Sequence, residues 1–219
     1  KEGYPIRKLK VRALLKDSQG RLWIGGENGL ATYRNTDGQL ERCDIQHNAS
    51  PLQSVFVQSI YESTTKLIWI ATRTGLWCYD DKENTFSHYT SDDGLANDII
   101  DGIEEDSYGR LWLSTDNGLS CFNPFSGTFR NFSTSDGLQS NQFNPGSHCR
   151  RRNGEIMFGG IYGICSFTPS TIEDNPYTPQ PIISRLEVFN KPVRPGDGSG
   201  ILKKSITEAD EMTLRHDQN

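Results

Sequence analysis

The sequence Asp-Ser-Tyr-Gly-Arg-Leu-Trp-Leu-Ser-Thr-Asp-Asn-Gly-Leu-Ser-Cys-Phe occupies residues 106–122 and contains two strand-like runs, 110–114 and 119–122. Between these runs, Asn117 is followed by Gly118. Asn-Gly between apolar runs predicts a hairpin turn in which both residues take positive φ. The Asp-Ser-Tyr-Gly at the start marks a second turn, because Asp can bond its own backbone and Gly can take a left-handed conformation. The stretch therefore predicts a hairpin with a further strand leading into it.

The same unit occurs four times in the chain. Residues 17–33 repeat it almost residue for residue, and 63–79 and 151–167 are looser copies, the last with Met157 in the place of the Trp. The glycines that follow the hairpin turn stand at 29, 75, 118 and 163, so the period lies in the forties. Such a period, built of four short strands, is typical of a β-propeller blade. We therefore predict an all-β chain with a partial β-propeller of four blades, each a four-stranded antiparallel sheet.

The composition narrows the possible functions. The chain has 219 residues and a formal net charge of −5, without a basic stripe, which argues against nucleic acid as a partner. It shows neither an apolar run long enough to cross a membrane nor a signal peptide. Because it begins with Lys1 rather than Met, we expect an excised piece of a longer protein.

The cysteines are predicted to be structural. There are five, and Cys78 and Cys121 occupy the same place in their repeats, where a small, half-buried side chain is needed. Equivalent positions on neighbouring blades lie too far apart for a disulfide. Without a Cys-x-x-Cys pair or a ligand spacing among the histidines, we predict no metal site and no cofactor.

The domain organisation follows from the repeats and a proline-rich stretch. We predict propeller blades within residues 1–173, at 11–50, 57–95, 100–138 and 143–173, then a linker at 174–181 and the truncated start of a second β-domain at 182–219. In that second domain, strands are expected at 182–189, 201–206 and 212–214.

The fourth blade departs from the pattern. His148 stands where the other copies have Leu14, Ile60 and Ile103, and Pro145 is assigned the place of Val57. Because Pro removes a ladder hydrogen bond, the inner strand of this blade is predicted to be short. No outer strand of the usual kind is expected after residue 167.

These residues carry a resemblance to a known family. The pattern Asp-Ser-x-Gly-Arg-Leu-Trp with Asn-Gly-Leu, preceded by Ser-Asp-Gly-Leu, resembles the two-component regulator propeller repeats. The stretch 181–193, which begins Pro-Ile-Ile-Ser-Arg-Leu-Glu-Val-Phe, looks like the junction with an Ig-like triple-tyrosine domain. The resemblance implies the periplasmic sensor region of a hybrid histidine kinase, typical of gut Bacteroidetes. It also implies an oligosaccharide ligand, control of polysaccharide-utilisation genes, and a membrane-anchored, homodimeric parent receptor with the kinase outside this chain.

Candidate binding residues are those that vary between blades while the scaffold repeats, because propeller ligands bind where loops converge on the axis. The tryptophans are predicted to form inter-blade core, and the Asp and Arg of the repeat are predicted to pair locally. The hairpin tips and the loops that return to the axis supply the candidates: Glu27, Asn28, Arg73, Thr74, Asp116, Asn117, Ile161 and Tyr162 from the tips, and Asn97, Asp98, Asn141 and Gln142 from the loops.

Two other function classes stay open from the sequence. A propeller lyase or glycosidase would need clustered carboxylates beside a His or Tyr, for which His148 with Glu104 and Glu105 is the available hint. Adjacent residues of a strand point to opposite faces, which would separate the two carboxylates. A protein-interaction platform would instead use an open sheet edge, and such an edge predicts self-association of the fragment.

Overall fold

The computed structural model describes residues 10–36, 39–43, 52, 54–172, 183–208, 212 and 214. The chain divides into two compact units, Lys1–Ile172 and Glu173–Asn219. The predicted linker at 174–181 lies outside the described residues.

The first unit is built of four antiparallel sheets whose strands follow chain order. Sheet one contains β1 (Val11–Lys16), β2 (Arg21–Gly26), β3 (Gly29–Thr36) and β4 (Gln39–Cys43). Sheet two contains β5 (Val57–Glu62), β6 (Ile68–Thr72), β7 (Gly75–Asp80) and β8 (Thr85–Tyr89). Sheet three contains β9 (Ile100–Glu105), β10 (Leu111–Thr115), β11 (Gly118–Asn123) and β12 (Thr128–Phe132). Sheet four contains β13 (Phe143–Arg150), β14 (Ile156–Gly160) and β15 (Gly163–Phe167).

The four sheets are arranged as propeller blades, which confirms the predicted fold. The first strand of each sheet is the inner strand, and inner strands of successive sheets contact one another, β1 with β5, β5 with β9 and β9 with β13. Apolar clusters fill the spaces between neighbouring sheets. Trp23, Trp69 and Trp112 lie in these clusters and are at most 1% exposed. They are inter-sheet core, as predicted.

The hairpin turn differs in one detail from the prediction. Thr115 pairs with Gly118, so the two turn residues are Asp116 and Asn117. Gly118 has φ +99°, whereas Asn117 is not among the described residues with positive φ. A Cβ on Gly118 would lie 2.2 Å from the carbonyl oxygen of Phe132, so glycine is needed for space as well as for φ. The hairpin was predicted for the right place, but only the glycine takes positive φ.

The inner strand of sheet four corrects a second prediction. It is eight residues long rather than short, and Phe143, not Pro145, takes the place of Val57. Phe143 pairs with Gly160 as Val57 pairs with Thr72. The register shifts between Phe143 and His148, so the strand bulges around the proline instead of ending there. His148 pairs with Phe158, which confirms its predicted equivalence to Ile103.

The second unit contains less strand than predicted. Its described residues form one short hairpin, β16 (Glu187–Val188) and β17 (Lys191–Pro192). The predicted strand at 201–206 is absent, and a 3-10 turn covers Ile206–Glu208. Met212 and Leu214 are not in a strand either. Isolated strands without a pairing partner are not stable, which explains why apolar residues alone were a poor guide here.

Helices are limited to short 3-10 turns in the described part of the chain, such as Ser91–Asp93 and Thr134–Asp136. None of the helices found in these ranges has the length and apolar character that crossing a membrane requires.

Candidate ligand-binding face

The strands have the same order and direction in every repeat, so equivalent loops lie at the same end of the sheets. Because the strands alternate in direction, the second hairpin turn of each sheet and the loop returning to the next inner strand share an end. Gly75 N donates to the carbonyl oxygen of Asp98 over 2.8 Å, and Gly118 N donates to that of Asn141 over 2.7 Å. We call this end, formed by residues 27–28, 73–74, 116–117 and 161–162 with the return loops 91–99 and 134–142, the loop face.

The opposite end carries the turns between inner and second strands, which we call the corner turns, and here the repeat motif has a structural role. In sheet one, Asp17 Oδ1 accepts from Arg21 N (2.8 Å), while Asp17 Oδ2 accepts from Arg21 Nε (2.7 Å) and Trp23 Nε1 (2.8 Å). Burial raises the pKa of Asp17, but hydrogen bonds from Trp23 and Arg21 outweigh burial and hold it below its usual value. In sheet three, Asp106 bonds Arg110 and Trp112 in the same way. The predicted local pairing is confirmed.

In sheets one and two, the second residue of the corner turn, Ser18 or Thr64, links the sheet to the next one. Glu62 accepts hydrogen bonds from the backbone and hydroxyl of Ser18. Glu105 accepts the equivalent bonds from Thr64, 2.9 Å to the nitrogen and 2.7 Å to Oγ1. In sheet four, Arg150 takes the place of Glu62 and Glu105. It donates a hydrogen bond to the carbonyl oxygen of Glu105 over 2.9 Å. The Asp-Ser-x-Gly-Arg-x-Trp motif therefore builds the scaffold and is not a ligand site.

Three of the predicted site residues hold the loop face together. Asp98 accepts from Ser91 N over 2.7 Å, and Asn141 accepts from Thr134 N over 2.8 Å. Asn97 Oδ1 accepts from Ile99 N over 2.9 Å. These side chains shape the return loops, which leaves fewer of their polar atoms for a ligand.

Three other predicted residues fall into a polar group near the axis. Glu27, Arg73 and Asp116 occupy equivalent tip positions. Beside them stand Arg12, Gln58 and Asp101, at equivalent places near the start of the inner strands. We call these six residues the axial cluster. Sequence reasoning missed the inner-strand members, although their variation among otherwise apolar inner strands was a usable signal.

The axial cluster has a different charge in each sheet. In sheet one, Glu27 pairs with Arg12 over 2.9 Å and with Lys10 over 3.0 Å. In sheet two, the Arg73 guanidinium lies 4.3 Å from the centre of the Phe56 ring. In sheet three both members are acidic. Burial and then the charge of Asp116 raise the pKa of Asp101 to about 6, against smaller opposing effects of Gln58 and Arg73.

Further out on the loop face, a groove of about 380 Å³ separates the return loop of sheet two from sheet three. Asn117 lines it, and no described residue hydrogen-bonds to its side-chain amide. The remaining lining combines apolar and polar groups: Ser91, Gly94, Leu95, Ala96, Asn131, Phe132, Ser133 and Asp136.

The equivalent groove between sheets three and four is nearly closed. Its volume is about 10 Å³, and Gln139 and Tyr162 line it. Tyr162 is 75% exposed and takes the place that Asn117 has in the sheet before. The predicted site residues Asn117 and Tyr162 thus occupy equivalent positions in sheets three and four. Asn28 and Gln142 lie on the same face, and the backbone oxygen of Gln142 accepts from Ile161 N over 3.4 Å.

The residues that suggested an enzyme are partly brought together. His148 Nδ1 lies 2.9 Å from Glu104 Oε1, and the imidazole packs against Gly102, where a Cβ would lie 2.4 Å from it. Glu105 points away to Thr64 and Tyr61, so the carboxylates are separated as predicted. In the part of the chain that the structure describes, no three His, Cys, Asp or Glu side chains are placed to hold a metal ion.

The buried thiols are placed as core groups. Cys78 and Cys121 are 6% and 7% exposed and are not in disulfides. Burial raises the pKa of Cys78 to about 12 and that of Cys121 to about 11. These thiols stay protonated at neutral pH, so they are poor nucleophiles.

Two stretches of the chain match a known family of repeats. The family model described as two component regulator propeller matches residues 6–28 and 94–117. These two stretches are therefore similar to two-component regulator propeller repeats. The matched stretches include the corner turn of sheet one, part of the return loop of sheet two and the corner turn of sheet three.

Longer relatives extend this similarity over nearly the whole chain. Histidine kinase P4 of Formosa agariphila is 30% identical over 208 residues, which is 93% of this chain but only 15% of that protein. The extracellular domain assigned to the hybrid two component system BT3049 of B. thetaiotaomicron is 27% identical, with a TM-score of 0.68 over 90% of this chain and 29% of that one. The chain thus resembles the sensor region of such systems and spans a minor part of these relatives.

A lyase shares the fold at lower similarity. Catalytically inactive H270A virginiamycin B lyase from Staphylococcus aureus is 16% identical, with a TM-score of 0.52 over 78% of this chain and 59% of that one. At this identity the likeness concerns the fold alone.

Proposed function

We propose that the chain is part of the ligand-sensing region of a hybrid two-component histidine kinase and that it binds an oligosaccharide on the loop face. The observation that carries the proposal is the contrast between the ends of the sheets. The corner turns of sheets one and three repeat Asp, Arg and Trp in one hydrogen-bonded arrangement, whereas the axial cluster holds an ion pair in sheet one, a cation in sheet two and two acids in sheet three. Loops that vary on a rigid scaffold are where binding sites are usually found.

The chemistry of the loop face suits a saccharide. Sugar hydroxyls need donors and acceptors together with some apolar surface, and the groove supplies the Asn117 amide, the Asp136 carboxylate and Phe132. Arg73 and Arg12 add cationic groups for an acidic sugar, and each is within 6 Å of the Phe56 ring. A neutral or anionic oligosaccharide is therefore the proposed ligand.

The proposed parent is a membrane-anchored, homodimeric receptor with this region in the periplasm and the kinase in the cytoplasm. Its relatives include a histidine kinase and the extracellular domain of a two-component system. An Ig-like domain is proposed for 182–219. Ligand binding would shift the parent receptor between two conformations and so regulate polysaccharide-utilisation genes.

Calorimetric titration with plant and host oligosaccharides tests the proposal. We expect saturable binding without product, weakened about tenfold by Asn117→Ala, because one good polar contact is worth about 1.4 kcal/mol. The matched control is Lys82→Ala, an exposed side chain in the turn between β7 and β8, at the opposite end. Equal loss of affinity in both variants, or binding by neither propeller nor parent region, would reject the loop face.

The same titration distinguishes a binding module from an enzyme. Cleavage of any oligosaccharide in the panel would favour a lyase or glycosidase that uses the Glu104–His148 pair. In that case His148→Asn should abolish cleavage while leaving binding in place.

A further inference from the structure

Gln58 and Asp101 bring two buried polar side chains together across the contact between sheets two and three. They are 8% and 2% exposed. Gln58 Nε2 donates to Asp101 Oδ1 over 3.4 Å. Gln58 Oε1 and Asp101 Oδ2 are buried too, and neither has a hydrogen-bond partner among the described residues.

Both of these oxygens need a hydrogen-bond donor, and neither has one among the described residues. An ionised carboxylate and an amide oxygen can only accept, so neither can satisfy the other. A buried acceptor without a donor is costly, and such groups are rare in folded proteins. A single proton on the carboxyl group removes the problem, because it converts one of the two acceptors into a donor.

We propose that in mild acid Asp101 is protonated in the folded protein and forms a cyclic acid–amide pair with Gln58. In this pair Gln58 Nε2–H donates to Asp101 Oδ1, and Asp101 Oδ2–H donates to Gln58 Oε1. The proton is taken up from solvent and returns to it, so no other reactant is involved. The pair links the inner strands β5 and β9 within the axial cluster.

The charges around the carboxyl group favour the proton. Burial and the negative charge of Asp116, on the hairpin tip of the same sheet, raise the pKa of Asp101 to about 6. Arg73, on the tip of sheet two, opposes this rise. From sheet four, His148 packs on the neighbouring Gly102, but its ring nitrogen is paired with Glu104.

The pair makes the contact between sheets two and three sensitive to pH. Since the folded-state pKa lies above the usual value of 3.8, the stabilisation is complete below about pH 4 and is lost as the pH rises through about 6. Above that pH, two acceptors face each other without a proton between them. Mild acid therefore tightens this part of the loop face, and neutral pH loosens it.

Carboxyl ¹³C NMR of the whole chain, labelled at Asp, tests the proposal directly. The Asp101 resonance, assigned through the backbone, should show the neutral acid at pH 5 and titrate with a midpoint near 6. Removing the neighbouring charge by Asp116→Asn should lower that midpoint without abolishing the pair. A midpoint at or below 4 in the unsubstituted chain would overturn the proposal.

Stability measurements provide a second test. Asn at position 101 can reproduce both hydrogen bonds without titrating, so the folding equilibrium constant of Asp101→Asn relative to the unsubstituted chain should rise about 100-fold from pH 4 to pH 7. Asp92→Asn is the control, because Asp92 is exposed on the return loop, and its ratio should stay nearly constant. A ratio for Asp101→Asn that is equally constant contradicts the pair.

Discussion

The corner turns of sheets one and two occupy equivalent places but are built differently. In sheet one, Asp17 bonds Arg21 and Trp23. In sheet two, Ser63 and Leu67 stand in place of the Asp and Arg. Among the described residues, the Ser63 hydroxyl bonds Thr65 and the backbone of Leu67, and the buried Trp69 Nε1 has no partner.

The difference shows that the polar network is not required for the fold. Trp69 is as buried as Trp23, so apolar packing alone places the indole between sheets. Sheet two even carries Lys66 at φ +71°, where sheet one has Gly20. The network of sheet one therefore adds stability and a fixed turn geometry to a position that packing has already defined.

Removing the carboxylate of sheet one is the change with the largest expected effect. Asp17→Ala should lower the free energy of unfolding by about 2–4 kcal/mol, because it leaves Arg21 Nε and Trp23 Nε1 without their acceptor, while Arg21 Nη1 keeps its bond to Asp81. Ser63→Ala in sheet two should cost about 1 kcal/mol. Urea denaturation measures both, and equal losses would show that the two turns are energetically alike.

Acid should remove the advantage of sheet one. The pKa of Asp17 lies below its usual value, so its contribution is complete above about pH 4 and is lost as the pH falls through the folded-state pKa. The loss can reach at most about 1.4 kcal/mol per pH unit for one proton. Denaturation at pH 6 and pH 3 should show the difference between the unsubstituted chain and Asp17→Asn shrinking in acid. A difference that is unchanged at pH 3 would contradict the pairing.

Exchanging the indoles probes the hydrogen bond itself. Trp23→Phe removes a donor that Asp17 needs, whereas Trp69→Phe removes one that has no partner among the described residues. The two substitutions remove a similar amount of buried ring surface. Trp23→Phe should therefore be more destabilising than Trp69→Phe by about 1–1.5 kcal/mol, because it alone breaks a hydrogen bond. Thermal unfolding of the two variants gives the comparison, and a larger loss from Trp69→Phe would reverse our interpretation.

Transferring the network to sheet two should have the smallest effect. Ser63→Asp combined with Leu67→Arg should raise stability by about 0.5–1 kcal/mol, because Trp69 Nε1 gains an acceptor. Ser63→Asp alone should destabilise, since Ser63 is 5% exposed and the new charge would lack its Arg. Similar results for the single and double variants would mean that the Arg is dispensable.

Much of the propeller could be predicted because its local signals agree with the tertiary structure. Asn-Gly turns, strand-like apolar runs and a repeat in the forties all specify the same sheets. The prediction was wrong where a bulge added residues, since alignment by spacing placed Pro145 where Phe143 pairs. It was also wrong at 201–206, a segment with three apolar residues among six that has no described strand to pair with.

The candidate site was predicted only in part, for a related reason. Hairpin tips such as Arg73 can be identified from a repeat alone. Asp98 and Asn141 look identical to ligand-binding residues in sequence, and only the hydrogen bonds to Ser91 and Thr134 show their role in the loops. Gln58 and Asp101 come from separate repeats, so their meeting depends on how sheets stack.

The links between successive sheets have a consequence for how such a gene can change. Glu62 and Glu105 accept hydrogen bonds from the turn of the preceding sheet, whereas Arg150 can only donate. Placing the fourth repeat directly after the first would set Arg150 beside the donors of Ser18. Recombination between similar repeats in the gene can change their order. The resulting proteins would differ in stability, because some junctions would lose their hydrogen bonds. The order of the repeats is thereby protected at the level of the protein.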